Sequence, residues 1–116
     1  MNIEDIRLYC LSKVEVTESF PFDNSTLVFK VANKMFLLVG LNNNPLSFNA
    51  KCEPEKAIAL REEYEAILPG FHMNKQHWNT VIVDDSLPEK LLKSLIDDSY
   101  NLIVSSLPKK VREQLQ

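Results

Sequence analysis

Thr26-Leu27-Val28-Phe29-Lys30-Val31-Ala32-Asn33-Lys34-Met35-Phe36-Leu37-Leu38-Val39-Gly40-Leu41 is the stretch on which the fold turns. Leu27, Phe29 and Val31 alternate with Thr26, Val28, Lys30 and Ala32, and the run from Met35 resumes the pattern after Asn33-Lys34. A period of two places successive side chains on opposite faces of a strand. Two such runs joined by two residues read as a β-hairpin, and Asn33 tolerates the positive φ that a tight turn demands.

Moving outward, Asn42-Asn43-Asn44-Pro45 reads as a turn, and Leu46-Ser47-Phe48-Asn49-Ala50-Lys51 as a further strand. In that strand Leu46, Phe48 and Ala50 face a core, with Ser47, Asn49 and Lys51 outward. Trp78 to Val83 also alternates, and Trp78 at its head reads most simply as a core residue, with a surface stacking platform as the alternative. Upstream, Val16 to Phe22 is a short extended piece that Pro21 confines to a sheet edge or strand end, and Asp23-Asn24-Ser25 is a turn.

Helices bracket the strands. Asn2 to Lys13 carries an apolar stripe of Ile3, Ile6, Cys10 and Val14, with Asn2 as N-cap and Glu4 and Asp5 at the positive end of the dipole. Glu53-Pro54-Glu55 opens a second helix to about Tyr64. Ser86-Leu87-Pro88-Glu89 has capping-box spacing ahead of a third, which runs to Pro108 before a short basic end. Helix, strand, hairpin, strand, helix, strand, helix predicts an α+β fold, an antiparallel sheet with helices packed on one face. The other face is then left to solvent or a partner.

The 116 residues suit one domain, spanning 1–116, that buries roughly 65% of its unfolded surface. With 45% hydrophobic and 25% charged residues, composition excludes disordered and fibrous classes. The longest apolar runs fall far short of the ~18 residues of a membrane span. The start, Met1-Asn2-Ile3-Glu4-Asp5, lacks the basic and apolar blocks of a signal peptide, so a cytoplasmic location is expected. Cys10 and Cys52 are too few for a disulfide framework and read as buried, reduced thiols.

Charge is distributed unevenly. All 16 carboxylates lie in residues 1–23, 53–65 and 84–116, so the strand-forming windows 24–52 and 66–83 contain none. Those windows carry Lys30, Lys34, Lys51 and Lys75. A chain of net charge −3 therefore has a locally basic sheet, although lysines on strand edges also guard against aggregation without any ligand.

Dedicated chemistry is harder to find. His72 and His77, five apart, fall on opposite faces of a strand and about 140° apart around a helix, so they do not make a same-face metal pair. Gly40 and Gly70 are the only glycines, which excludes a glycine-rich phosphate loop or a nucleophile elbow. No catalytic residue, metal site or cofactor is expected, and a binding protein is favoured over an enzyme. Asn74, Lys75, His77 and Asn79, read as outward, can hydrogen-bond phosphates or base edges, as can Ser47, Asn49 and Lys51.

Asn74-Lys75-Gln76-His77-Trp78-Asn79-Thr80-Val81 closely resembles the Asn-Lys-Lys-His-Trp-Asn-Thr-Val signature of the MmcQ/YjbR family. Thr17 to Asp23, Leu27 to Val31, Lys34-Met35-Phe36, Leu46 to Cys52 and Leu95 to Tyr100 resemble its other recurrent blocks, in order. The resemblance implies a CyaY/frataxin-like domain with paired hairpins, a "double wing" whose members are labelled DNA-binding. Gln76 stands where the signature often has a second lysine, which removes one charge from such a surface. Iron binding of the frataxin kind is not carried over, since the first helix has only Glu4 and Asp5. On this basis the expected partner is DNA, contacted through Lys30, Lys51, Asn74, Lys75, His77 and Asn79. The alternative is a protein-interaction or small anionic-ligand module using the same surface.

Overall fold

The computed structural model describes residues 1–115. In chain order the elements are α1 (Ile3–Leu11), β1 (Val16–Ser19), β2 (Thr26–Val31), β3 (Lys34–Gly40), β4 (Leu46–Lys51), α2 (Pro54–Glu63), β5 (Ile67–Pro69), β6 (Trp78–Val83), α3 (Glu89–Ser105) and α4 (Lys109–Gln114). The strands form one six-stranded sheet in the order β1-β2-β3-β4-β6-β5, with every neighbouring pair antiparallel. The α+β expectation holds.

The β2–β3 hairpin turns one residue earlier than its sequence suggests. Val31 pairs with Lys34, so Ala32 and Asn33 form the link, with φ of 48° and 68°. A two-residue turn that matches strand twist needs positive φ at both central positions, and alanine accepts that conformation here beside the more tolerant asparagine. A bulge follows, since Phe29 pairs with Leu37 but Lys30 with Met35, leaving Phe36 unpaired. The fully buried Ser99 of α3 completes that irregularity: its hydroxyl donates to the Phe36 carbonyl at 2.5 Å and accepts from the Lys51 amide at 2.8 Å. One helix hydroxyl thus satisfies backbone groups at the bulge and at the end of β4.

One face of the sheet meets the helices. Leu27, Phe29, Val31, Leu37, Val39, Phe48, Ala50 and Val81 pack with Ile6 and Cys10 of α1, Ala57 and Leu60 of α2, and Leu92, Leu95, Ile96 and Ile103 of α3. Burial pushes the Cys10 thiol up to about 12, and Cys52 upward too, consistent with inert thiols. Tyr9 and Lys13 both reach Asp97 and tie the end of α1 to α3.

Several boundaries differ from the pattern reading. Asn2 does cap α1, in a capping box with Asp5, but the helix ends at Leu11 and Val14 is exposed rather than part of the stripe. Ser86 does not cap α3: the helix begins behind Pro88, and the Ser86 amide instead donates to the Asp84 carboxylate. The three residues of β5 and the helical α4 escape periodicity because both are too short for a pattern to register.

Candidate functional site

The face away from the helices carries Val28, Lys30, Met35, Leu38, Ser47, Asn49, Lys51, Trp78 and Thr80, as the alternation from the core-facing residues requires. At one end of it Lys30 lies opposite Met35, and Lys51 lies opposite Trp78. Two strand spacings separate the lysines, about 10 Å. Loop 70–77 meets the same end, because the Cys52 amide donates to the His77 carbonyl at 2.8 Å. Lys75 is exposed on that loop and His77 is half-buried. Lys34 stands apart, at the hairpin tip opposite Val31.

None of Lys30, Lys34, Lys51 or Lys75 has a carboxylate partner among the described residues, whose ion pairs use Arg7, Lys13, Lys56 and Lys109. Most acidic groups sit in the helices and connections, and the exception within the sheet, Glu18 on β1, is engaged by Arg7 of α1 at 2.8 Å.

Two of the anticipated contacts change. Asn79 does not face outward: it pairs with Ala50, is 3% exposed, and donates from Nδ2 to the Ala57 carbonyl of α2 at 3.3 Å. Its phase within β6 is the reverse of the pattern reading, so Trp78 takes the outer side, half-buried beside Lys51. Asn74 is exposed, but its Oδ1 accepts from the Gln76 amide at 2.9 Å and the His77 amide at 3.3 Å. It therefore shapes the loop, keeping only Nδ2 for a ligand.

Beside the lysines lies a feature that sequence reasoning missed, a trough of about 550 Å³ across the middle of the open face. That is within the ~300–1,000 Å³ usual for ligand sites. Met35, Leu38 and Met73 supply apolar lining, Asn43, Ser47 and Asn49 polar lining, and Asp23 the one carboxylate. Backbone amides of Ser25 and Thr26 donate to Asp23 and hold its carboxyl below the ordinary 3.8, so it is ionised at neutral pH. His72, in the left-handed region at φ 59°, lines the trough too, and no cluster of metal-binding groups forms among the described residues.

Phe71 dominates one rim. Its amide donates to Thr80 Oγ1 at 2.9 Å and its carbonyl accepts from Asn49 Nδ2 at 3.1 Å, while Thr80 Oγ1 donates to Asn49 Oδ1. The backbone of Phe71 is thus latched to the sheet on both sides, yet the residue as a whole is 56% exposed. Gly70 permits the approach, since a Cβ there would come within 2.9 Å of the Trp78 carbonyl oxygen. Phe22, 64% exposed, lines the trough from the β1–β2 connection, across the strand order from Phe71. The signal available beforehand was Phe20-Pro21-Phe22 directly after a strand, and the outward Asn49.

Known proteins resemble the chain along its length. The family model described as YjbR matches residues 11–102. The uncharacterized protein YjbR of Escherichia coli K12 is 34% identical over 115 residues, covering 99% of this chain and 98% of its own. The crystal structure of Deinococcus radiodurans protein DR2400, described with the family domain DUF419, superposes with a TM-score of 0.94 at 37% identity, covering 98% of this chain and 87% of that one. A crystal structure of a Pseudomonas syringae protein is similar at 29% identity and a TM-score of 0.76, covering 88% of this chain and 98% of its own.

Proposed function

The chain belongs to the YjbR family, and on that premise we propose that it is a DNA-binding protein, without catalytic activity, that holds phosphates on the lysine-bearing end of its open sheet face. Lys30, Lys51 and Lys75 are the phosphate contacts, and His77 with the Asn74 amide supplies hydrogen bonds. The observation that carries the reading is that these three lysines have no carboxylate partner among the described residues and occupy windows without an acid. An unpaired ammonium gains by displacing the counterions condensed on a nucleic acid, whereas a paired one first loses its own partner. The acidic remainder of the chain repels the duplex and orients it toward the sheet.

Three phosphate contacts give a log–log salt slope of about −2.7 on duplex DNA, so affinity falls roughly 40-fold between 50 and 200 mM salt. Fluorescence anisotropy with a labelled duplex at several salt concentrations measures this directly. Lys51→Ala combined with Lys75→Ala should reduce the slope to about −1. A duplex that stays unbound at low salt, or a slope the double variant leaves unchanged, rejects the reading. An anionic metabolite in the trough is disfavoured because Asp23 is the carboxylate that lines it.

A further inference from the structure

We propose that the trough receives bases of single-stranded DNA, stacked against Phe71 and Phe22, while the phosphates of the same strand lie on Lys30, Lys51 and Lys75. This rests on the phosphate reading above and specifies which form of DNA the surface is built to hold.

The argument begins with Phe71. Here both backbone polar groups of Phe71 are engaged by Asn49 and Thr80, so the backbone from which the exposed side chain projects at the trough is already ordered, and binding has only side-chain rotamers left to fix. Phe22 lines the same trough from the β1–β2 end of the strand order, on the same face of the sheet. Flat π-systems favour stacked partners, and every base offers a π-face regardless of sequence.

Electrostatics then orients the strand. Asp23, the exposed carboxylate on the trough wall, disfavours phosphate there, while the unpaired lysines attract phosphate to the neighbouring end. Asn49, on the trough floor, and Lys51 are two residues apart on one strand face, about 7 Å. Base and backbone of one nucleotide chain can therefore occupy both regions together. Asn43, Ser47 and Asn49 offer donors and acceptors to base edges. A duplex keeps its bases stacked and paired and presents no free π-face, so it can use the lysines but not the trough.

The test compares a labelled oligonucleotide of about 12 residues with the same strand annealed to its complement, at about 50 mM salt, using the full chain and Phe71 variants. The single strand should bind at least 10-fold more tightly. Phe71→Ala and Phe71→Leu should each weaken single-strand binding roughly 5- to 150-fold, leave duplex binding unchanged, and keep the melting temperature of the parent. Phe71→Tyr should restore it, which a purely structural role for apolar bulk would not require. Equal affinity for both forms, or single-strand binding indifferent to Phe71→Ala, overturns this inference while leaving the phosphate reading standing. Failure of both forms to bind overturns both.

Discussion

The two faces of this sheet are made from the same strands by the same alternation, yet they end in opposite states. On the helix side Phe29, Phe48, Leu37 and Val39 are shut away by three helices, and backbone groups at the β3 bulge and the end of β4 are met by Ser99. On the other side Val28 and Leu38 are buried, but Phe22 and Phe71 remain more than half exposed and Lys30 and Lys51 line one end without counter-charges. The first face is occupied by its own chain. The second is ordered but unfilled, which is why function is placed there: stability is concentrated where apolar area is removed from water, and recognition where rigid groups stay accessible.

The largest way to probe that contrast is to remove one ring from each side. Phe29→Ala should cost about 3–5 kcal/mol in urea denaturation, since a fully buried aromatic leaves a cavity, whereas Phe71→Ala should stay within about 0.5 kcal/mol of the parent. Comparable losses from the two would erase the distinction. Next comes the joint between helix layer and sheet. Ser99→Ala leaves the Phe36 carbonyl and the Lys51 amide without their partner, and should lower stability by about 1–3 kcal/mol. Binding to DNA by the folded fraction should be preserved, as measured by titration below the denaturation midpoint.

The smallest effect is expected in acid. Burial acts to raise the Asp97 carboxyl, but hydrogen bonds from Lys13 and Tyr9 outweigh it and hold the group below its ordinary 3.8. A carboxylate with a lowered folded value contributes stability in full above the unfolded value, and loses it as pH falls through the folded one. The urea midpoint should therefore decline below about pH 3.8, and Asp97→Asn should flatten part of that decline. Because Asp97 is partly exposed, solvent screening keeps its share modest. A decline unchanged in the variant would remove Asp97 from the account.

How far the sequence could be read depended on contrast within each strand. In β4 every second residue is apolar and the others are Ser47, Asn49 and Lys51, so its facing was legible. In β6 one phase is Trp78, Thr80 and Ile82 and the other Asn79, Val81 and Val83, each with one polar residue and two apolar ones. Periodicity has nothing to choose between them, and the bulky Trp78 drew the wrong choice. Pairing with Phe48 and Ala50 settles it, because register transmits the facing of one strand to its neighbour. Lys30, Lys51, Lys75 and His77 were visible as candidates from their acid-free windows. The trough was not, since Phe22, Phe71 and Met35 are remote in sequence and meet only across four strands.

By itself, then, the sequence determined the α+β class, the β2–β3 hairpin to within one residue, the N-cap at Asn2, and the absence of acid from five of the six strands, β1 with its Glu18 being the exception, all of them properties set by near neighbours or by counting. The signature from Asn74 to Val81 identified the family. Tertiary structure alone decided that Asn79 turns inward and Trp78 outward, that Asn74 shapes its loop, and that Phe71 is held open over a trough by Asn49 and Thr80. All but the Asn74 turn, which closes on the amides two and three residues along, depend on long-range strand pairing, and the facing of a pleated strand is fixed by its partners rather than by its own composition.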